Sequence, residues 1–290
     1  MNVNCIWKGR TTLGESPLWD CDNQTLYWVD MEDPVLHCLD LKTDNYSKKN
    51  VPAPLNSITV CKNGDLLATM HQSIILIKQL DFQIEAIHSL SDVDENIIFN
   101  DGQCDSIGRF WVGTRDKTLT RPLCKLYSFT LSTGLIPIVD QLIASNGLGW
   151  NPTYDEMYVT DTMQKTIFRY SYNRANGTLQ HGYPFINVAD DNVYPDGLTV
   201  DSMGGIWCAM WGAGNITRFH STGEVDTIID LPVKNVTSCC FGGKDLKTLF
   251  VTSASIDYGD AKNIGSQAGS VFAIDSPFTG IAQCKFNQLL

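Results

Sequence analysis

Six polar residues, Glu15, Asn56, Asn100, Asn146, Asp196 and Ser238, each stand eleven or twelve positions before the second member of an apolar or aromatic pair. The pairs are Leu26-Tyr27, Leu66-Leu67, Phe110-Trp111, Met157-Tyr158, Ile206-Trp207 and Leu249-Phe250. If the fold brings this phase of the chain to one place, two carboxylates and several amide oxygens crowd together. They repel one another and lose solvation unless a cation compensates them. The donors are all oxygen, with no His or Cys at this phase, which suits a hard divalent ion such as Ca²⁺, Mg²⁺ or Mn²⁺ and is also compatible with Zn²⁺ or Fe²⁺. Glu15, Asn146 and Asp196 are the candidate metal ligands, because Glu is not a favoured turn residue and a carboxylate pair at matched phase is hard to explain without a cation. Asn56 and Ser238 are read instead as polar residues that satisfy backbone groups where strands begin.

The elements that must position these residues are visible in the same spacing. Successive pairs lie about 40 to 49 residues apart, the period of a unit of four short strands, and turn signals such as Asn63-Gly64, Gly108 and Gly204-Gly205 precede them. Apolar runs such as Ser73 to Ile77 and Thr248 to Thr252 are short, rich in β-branched or aromatic residues and flanked by turn residues, so helices are not expected. Six such units fill the chain, which predicts an all-β, six-bladed β-propeller. In a propeller, equivalent positions of all blades are related by rotation about a central channel, so the six polar side chains converge on one ring there. A β-sandwich or two small β domains would also show short, evenly spaced strands. No Pro-, Gly- or Ser-rich linker divides the chain, and residues 1–290 are read as one propeller domain.

Composition narrows the partners. The chain has 290 residues and a formal net charge of -11, with no cluster of Lys and Arg, which excludes nucleic acid and anionic membrane surfaces as expected partners. Met1 to Arg10 lacks the apolar run of a signal peptide and no segment approaches the roughly 18 apolar residues of a membrane span, so a cytoplasmic location is expected. The five Asn-x-Ser/Thr sequons are accordingly read as chance. The ten cysteines form no CxxC pair, which argues against a zinc site or a thioredoxin-type motif, and Cys239-Cys240 reads as two strand residues facing opposite ways. No Gly-x-Ser-x-Gly elbow or Gly-rich phosphate loop occurs, so serine hydrolase and nucleotide chemistry find no support.

Four ordered motifs, Leu13-Gly14-Glu15-Ser16-Pro17, Asn100-Asp101-Gly102, Ser145-Asn146-Gly147-Leu148 and Pro195-Asp196-Gly197, resemble the SMP-30/gluconolactonase/LRE family, which includes regucalcin and bacterial sugar lactonases. The resemblance continues from Trp207 to Gly212 and from Thr237 to Gly243. It implies a six-bladed propeller with one divalent cation held by residues matching Glu15, Asn146 and Asp196, and hydrolysis of sugar-acid lactones to aldonic acids. Such a cation polarises the lactone carbonyl and lowers the pKa of a water. Asp196 is the candidate general base and Glu15 chiefly a ligand. Asn100 matches a substrate-contacting Asn, while Asp101 is either a second contact or a turn residue.

Two departures bear on specificity. The Arg that the family often carries two residues before the Asn of Asn-Asp-Gly is here Ile98, and the loop Arg115 to Arg121 lacks the Glu of regucalcin-type members. Arg115 or Arg121 can reach the substrate in place of the missing Arg, or each is a solvated loop residue. Trp211 is either an apolar wall of the pocket or a residue packed between blades. The expected partner is a small lactone, and the protein is expected to act as a monomer or a weak homo-oligomer. Two further readings stand beside the sugar lactonase: a metal-dependent lactonase or esterase for a non-sugar lactone, which Ile98 favours, and a calcium-binding propeller without turnover.

Overall fold

The computed structural model describes residues 1–256 and 264–289. Among these residues every regular element is a β-strand, and the strands form six four-stranded antiparallel sheets. The innermost strands are Gly14–Asp20, Ser57–Val60, Ile97–Cys104, Ser145–Trp150, Tyr194–Val200 and Val236–Gly242. Each packs on the innermost strand of the next sheet and the last packs on the first, which makes the sheets the blades of a closed ring. The fold is the six-bladed β-propeller that the repeat predicts. No helix long and apolar enough to cross a membrane occurs among the described residues.

The repeat has a packing cause. Phe110-Trp111 and Ile206-Trp207 open the second strands of the third and fifth blades, and all four side chains are wholly buried between blades. Each tryptophan is anchored by an aspartate in the preceding turn. Asp105 accepts hydrogen bonds from Trp111 Nε1 at 2.9 Å and Arg109 Nε at 2.6 Å. Asp201 accepts from Trp207 Nε1 and Arg218 Nε, both at 2.8 Å. These buried carboxylates are matched by arginines and turn amides, as a buried charge requires. Burial falls from the axis outward: the innermost strand of the first blade is buried throughout, and its outermost strand, Asn45–Asn50, is exposed throughout.

Two ends of the chain finish the ring. The N-terminal strand Val3–Trp7 pairs with Val271–Asp275 as the outermost strand of the sixth blade, so the first and last parts of the chain share one sheet. The C-terminal segment then crosses the end of the channel where the innermost strands finish. Gly280 bridges to Asp201, Cys284 to Cys104 and Phe286 to Cys61. The Gln283 side-chain oxygen accepts from the Trp19 amide at 2.9 Å. The ten cysteines are free thiols.

Candidate active site at the mouth of the central channel

The innermost strands carry the site, and each needs a local irregularity to do so. Pairing with the second strand slips between Glu15 and Leu18, Phe99 and Gly102, Ser145 and Leu148, and Pro195 and Leu198. Glu15, Asn100, Asn146 and Asp196 all sit at or within these bulges, which re-aim side chains that a regular ladder would send alternately between blades. The second blade has no such slip, and Asn56 turns its side chain back to accept from the His71 amide at 3.0 Å. It serves the backbone, as its sequence context suggests.

Glycine follows two of the site residues for a steric reason. A Cβ on Gly147 would lie 2.2 Å from the backbone nitrogen of Leu198, and one on Gly197 would lie 2.1 Å from Ser238 Oγ. The inner strands therefore approach closely only because Asn146 and Asp196 are followed by glycine.

Glu15, Asn100, Asn146 and Asp196 line one cavity of about 270 Å³ at the end of the channel where the innermost strands begin. Asn146 Nδ2 donates to Asp196 Oδ1 and, at 3.1 Å, to Thr162 Oγ1. With both amide hydrogens engaged, the polar atom that Asn146 has left to offer is its oxygen. Asn100 Nδ2 donates to the Ser145 carbonyl at 2.8 Å, which fixes that amide's orientation as well. Glu15 and Asp196 are both more than nine-tenths buried. Burial pushes the Glu15 carboxyl well above its ordinary range, and the charges of Asp196 and Asp101 push it further. The Asp196 carboxyl is raised by burial and by Asp101, against the opposing pull of the Asn146 hydrogen bond and Arg115.

The remaining sequence candidates separate. Arg115 and Trp211 line the cavity. Arg115 Nε is buried without a hydrogen-bond partner, and its guanidinium is close enough to lower both carboxyls. Arg121 is committed elsewhere, to Asp94 and Asp116 at 2.7 Å each, where it pins the loop that carries Leu119. Trp211 answers to both of its readings, since it lines the cavity and packs on the cluster that holds Leu13 and Met31. Asp101 lies deeper: it lines a void of about 30 Å³ inside the channel with Ser16, Ser238 and Gln283, and burial raises its carboxyl to about 7. It is a third acid beneath the site and does not line the cavity at the mouth.

Sequence reasoning passed over the residues that hold the rim. Asp30 and Asp161, each the last residue of a second strand, accept from backbone amides on both sides of the cavity wall. Asp30 takes Thr12 and Leu13 at 2.7 and 3.0 Å, and Asp161 takes Ile143, Ala144 and Met163 at 2.9, 3.2 and 3.2 Å. A signal was present, since each lies three residues after the second member of its apolar pair. Among the described residues no three or more His, Cys, Asp or Glu side chains come together as a metal cluster.

The chain belongs to the SMP-30/gluconolactonase/LRE-like family, whose profile matches residues 13–255. It is 34% identical over 248 residues to the putative sugar lactone lactonase YvrE of Bacillus subtilis, covering 85% of each chain. It is 32% identical to the pentonolactonase XacC of Haloferax volcanii, over 97% of this chain and 96% of that one. Among solved structures, a luciferin-regenerating enzyme superposes with a TM-score of 0.90 at 26% identity, covering 96% of each chain.

Proposed function

We propose that this protein hydrolyses small sugar-type lactones with the help of one divalent cation held by Glu15, Asn146 and Asp196. The observation that carries the reading is a pair of buried carboxylates, Glu15 and Asp196, beside an amide oxygen in one cavity, in a chain whose relatives include proteins named lactonases. The donors fit a hard divalent ion, since burial raises both acids and the charge of Asp196 raises Glu15 further, and such desolvated carboxyls are the groups a cation relieves. When bound, such an ion acts as a Lewis acid on an ester carbonyl and lowers the pKa of a water.

The chain's own residues supply the rest. Asp196 takes the proton from the water that attacks the lactone carbonyl carbon, a role that typically contributes about 10²- to 10⁴-fold. The ring C–O bond then breaks, and the proton passes to the departing ring oxygen, which leaves a hydroxy acid. Arg115 brings the only guanidinium that lines the cavity among the described residues, placed to hold a ligand oxygen and to favour the ionised form of Asp196. Asn100, held by Ser145, presents its amide to a ring substituent.

The test is proton release from gluconolactone, xylonolactone and galactonolactone on chelator-treated protein, before and after single divalent ions are restored, with spontaneous hydrolysis subtracted. Ion-restored turnover that vanishes in Asp196→Ala is expected. Tight ion binding without turnover of any lactone would replace this reading with a non-catalytic, cation-binding propeller.

A further inference from the structure

The cavity is built from two rings of opposite character. The inner ring is polar and comes from the starts of innermost strands: Glu15, Asn100, Asn146 and Asp196. The outer ring comes from the ends of second strands and the loops that follow them, and it is apolar in four blades. Met31 follows strand Thr25–Asp30, Leu119 follows Phe110–Asp116, Met163 follows Glu156–Asp161, and Trp211 ends Ile206–Trp211. Leu13 and Ala144, the residues whose amides Asp30 and Asp161 pin, extend this wall, and Thr162 and Tyr194 are its polar members.

We propose, resting on the lactonase reading, that the substrate is a deoxy or alkyl-substituted lactone: its ester edge meets the inner ring, and an apolar face or short alkyl group fills the outer one. Apart from the hydroxyls of Thr162 and Tyr194, the wall offers a substrate's hydroxyl groups little in return for the water they would lose, and an unpaired buried hydroxyl is costly. A buried methylene gains there instead. The volume of about 270 Å³ is just below the usual range of ligand pockets, about 300 to 1,000 Å³, which suits one ring with a short substituent. Two thioethers in the wall allow it to mould to such a group.

The experiment is a series of kcat/KM measurements by proton release with the ion-loaded protein. It runs xylonolactone, its singly and doubly deoxygenated forms, γ-valerolactone and γ-lactones with longer alkyl chains. The expected result is a rise of about tenfold for each hydroxyl removed from the outer side, and about fourfold per added methylene until the cavity is full, the equivalent of about 0.8 kcal/mol each. Leu119→Asn and Met163→Gln make the wall polar without demanding a new backbone, since Leu119 already has φ 56°, a conformation Asn tolerates better than Leu. Each is expected to cut the alkyl-over-hydroxyl preference at least tenfold. Turnover of fully hydroxylated lactones equal to or faster than that of deoxy and alkyl forms would overturn this inference and leave the lactonase reading intact. No turnover of any member overturns both.

Discussion

Ile98 and Arg115 are direct cross-strand partners on the first two strands of the third blade, with Ile98 buried and Arg115 lining the cavity. Where members of the family that this chain resembles often carry an arginine, it has Ile98, and Arg115 stands opposite on the neighbouring strand, on the same side of the sheet. Arg115→Met keeps the aliphatic stem and removes the charge. Loss of a charged hydrogen bond of about 1.5 to 3 kcal/mol corresponds to a fall of about 10- to 150-fold in kcat/KM. The double variant Ile98→Arg/Arg115→Met is expected to recover part of it. An unchanged kcat/KM in Arg115→Met would remove Arg115 from the binding machinery.

Glu15 and Asp196 lead to a second prediction, in which stability and ion binding move in opposite directions. Both acids are buried with raised pKa values, so their ionised forms oppose folding when no cation is present. Asp196→Asn is expected to raise the Tm of chelator-treated protein at pH 8 and to abolish the upward shift that a divalent ion gives the parent. For the parent, an ion at 100 times its Kd adds about 2.7 kcal/mol. Differential scanning calorimetry with and without ion reads both effects, and a parent protein that no divalent ion stabilises would contradict the metal assignment.

A pH dependence follows from Asp101. Its folded-state pKa is about 7 against an ordinary 3.8, so between these values the folded protein holds a proton that the unfolded chain has lost. Fewer protons bound in the unfolded state means that this group's contribution to stability falls as pH rises from about 4 to about 7. In chelator-treated protein, Asp101→Asn is expected to be no more stable than the parent near pH 4 and more stable above pH 7. Denaturant midpoints across that range measure the difference, and parallel curves for the two proteins would show that Asp101 does not titrate there.

The rim supports a structural prediction with a kinetic readout. Asp161→Ala removes the acceptor for the amides of Ile143, Ala144 and Met163 and for Gln164 Nε2, and each buried donor left unpaired costs about 1 to 3 kcal/mol. A lower Tm is expected together with a KM increase larger than any loss of kcat, because the wall moves while Asp196 stays in place. Asp161→Asn keeps the shape and some of the acceptors, and it should restore part of KM. A fall in kcat alone would mean that Asp161 acts on the reacting groups.

The blade count and the polar ring were legible because rotation about one axis repeats both, and a repeat leaves its period in the sequence. Glu15, Asn146 and Asp196 could be selected by phase without knowing how they face the channel. Their aim depends on bulges, and Glu15-Ser16-Pro17-Leu18 and Asn100-Asp101-Gly102 carry no local mark that says which residue turns to the mouth and which to the interior. Asp101 was ambiguous for that reason. Arg115 and Arg121 lie in the same hydrophilic stretch and differ only in that Asp94 and Asp116 capture one of them, a pairing set by the neighbouring loop. The C-terminal crossing has no period at all, so nothing in its residues announced that it closes the far end of the channel.

That crossing yields the last prediction. Phe286 is fully buried, its amide donates to the Val60 carbonyl at 2.8 Å, and its carbonyl accepts from the Lys62 amide at 3.0 Å. Val60 ends an innermost strand whose other end, at Ser57, points toward the mouth, so Phe286 lies a strand's length from the cavity. Phe286→Ala removes a large side chain from a core that also contains Phe99, Phe110 and Phe129, and a loss of about 3 to 5 kcal/mol is expected. Equilibrium urea unfolding measures it. Because the site is held by bulges and aspartates at the opposite end, kcat/KM at a temperature where the variant remains folded should match the parent within about twofold, a change worth under 0.5 kcal/mol of barrier. A larger kinetic loss at full folding would show that the far end of the channel is mechanically coupled to the mouth.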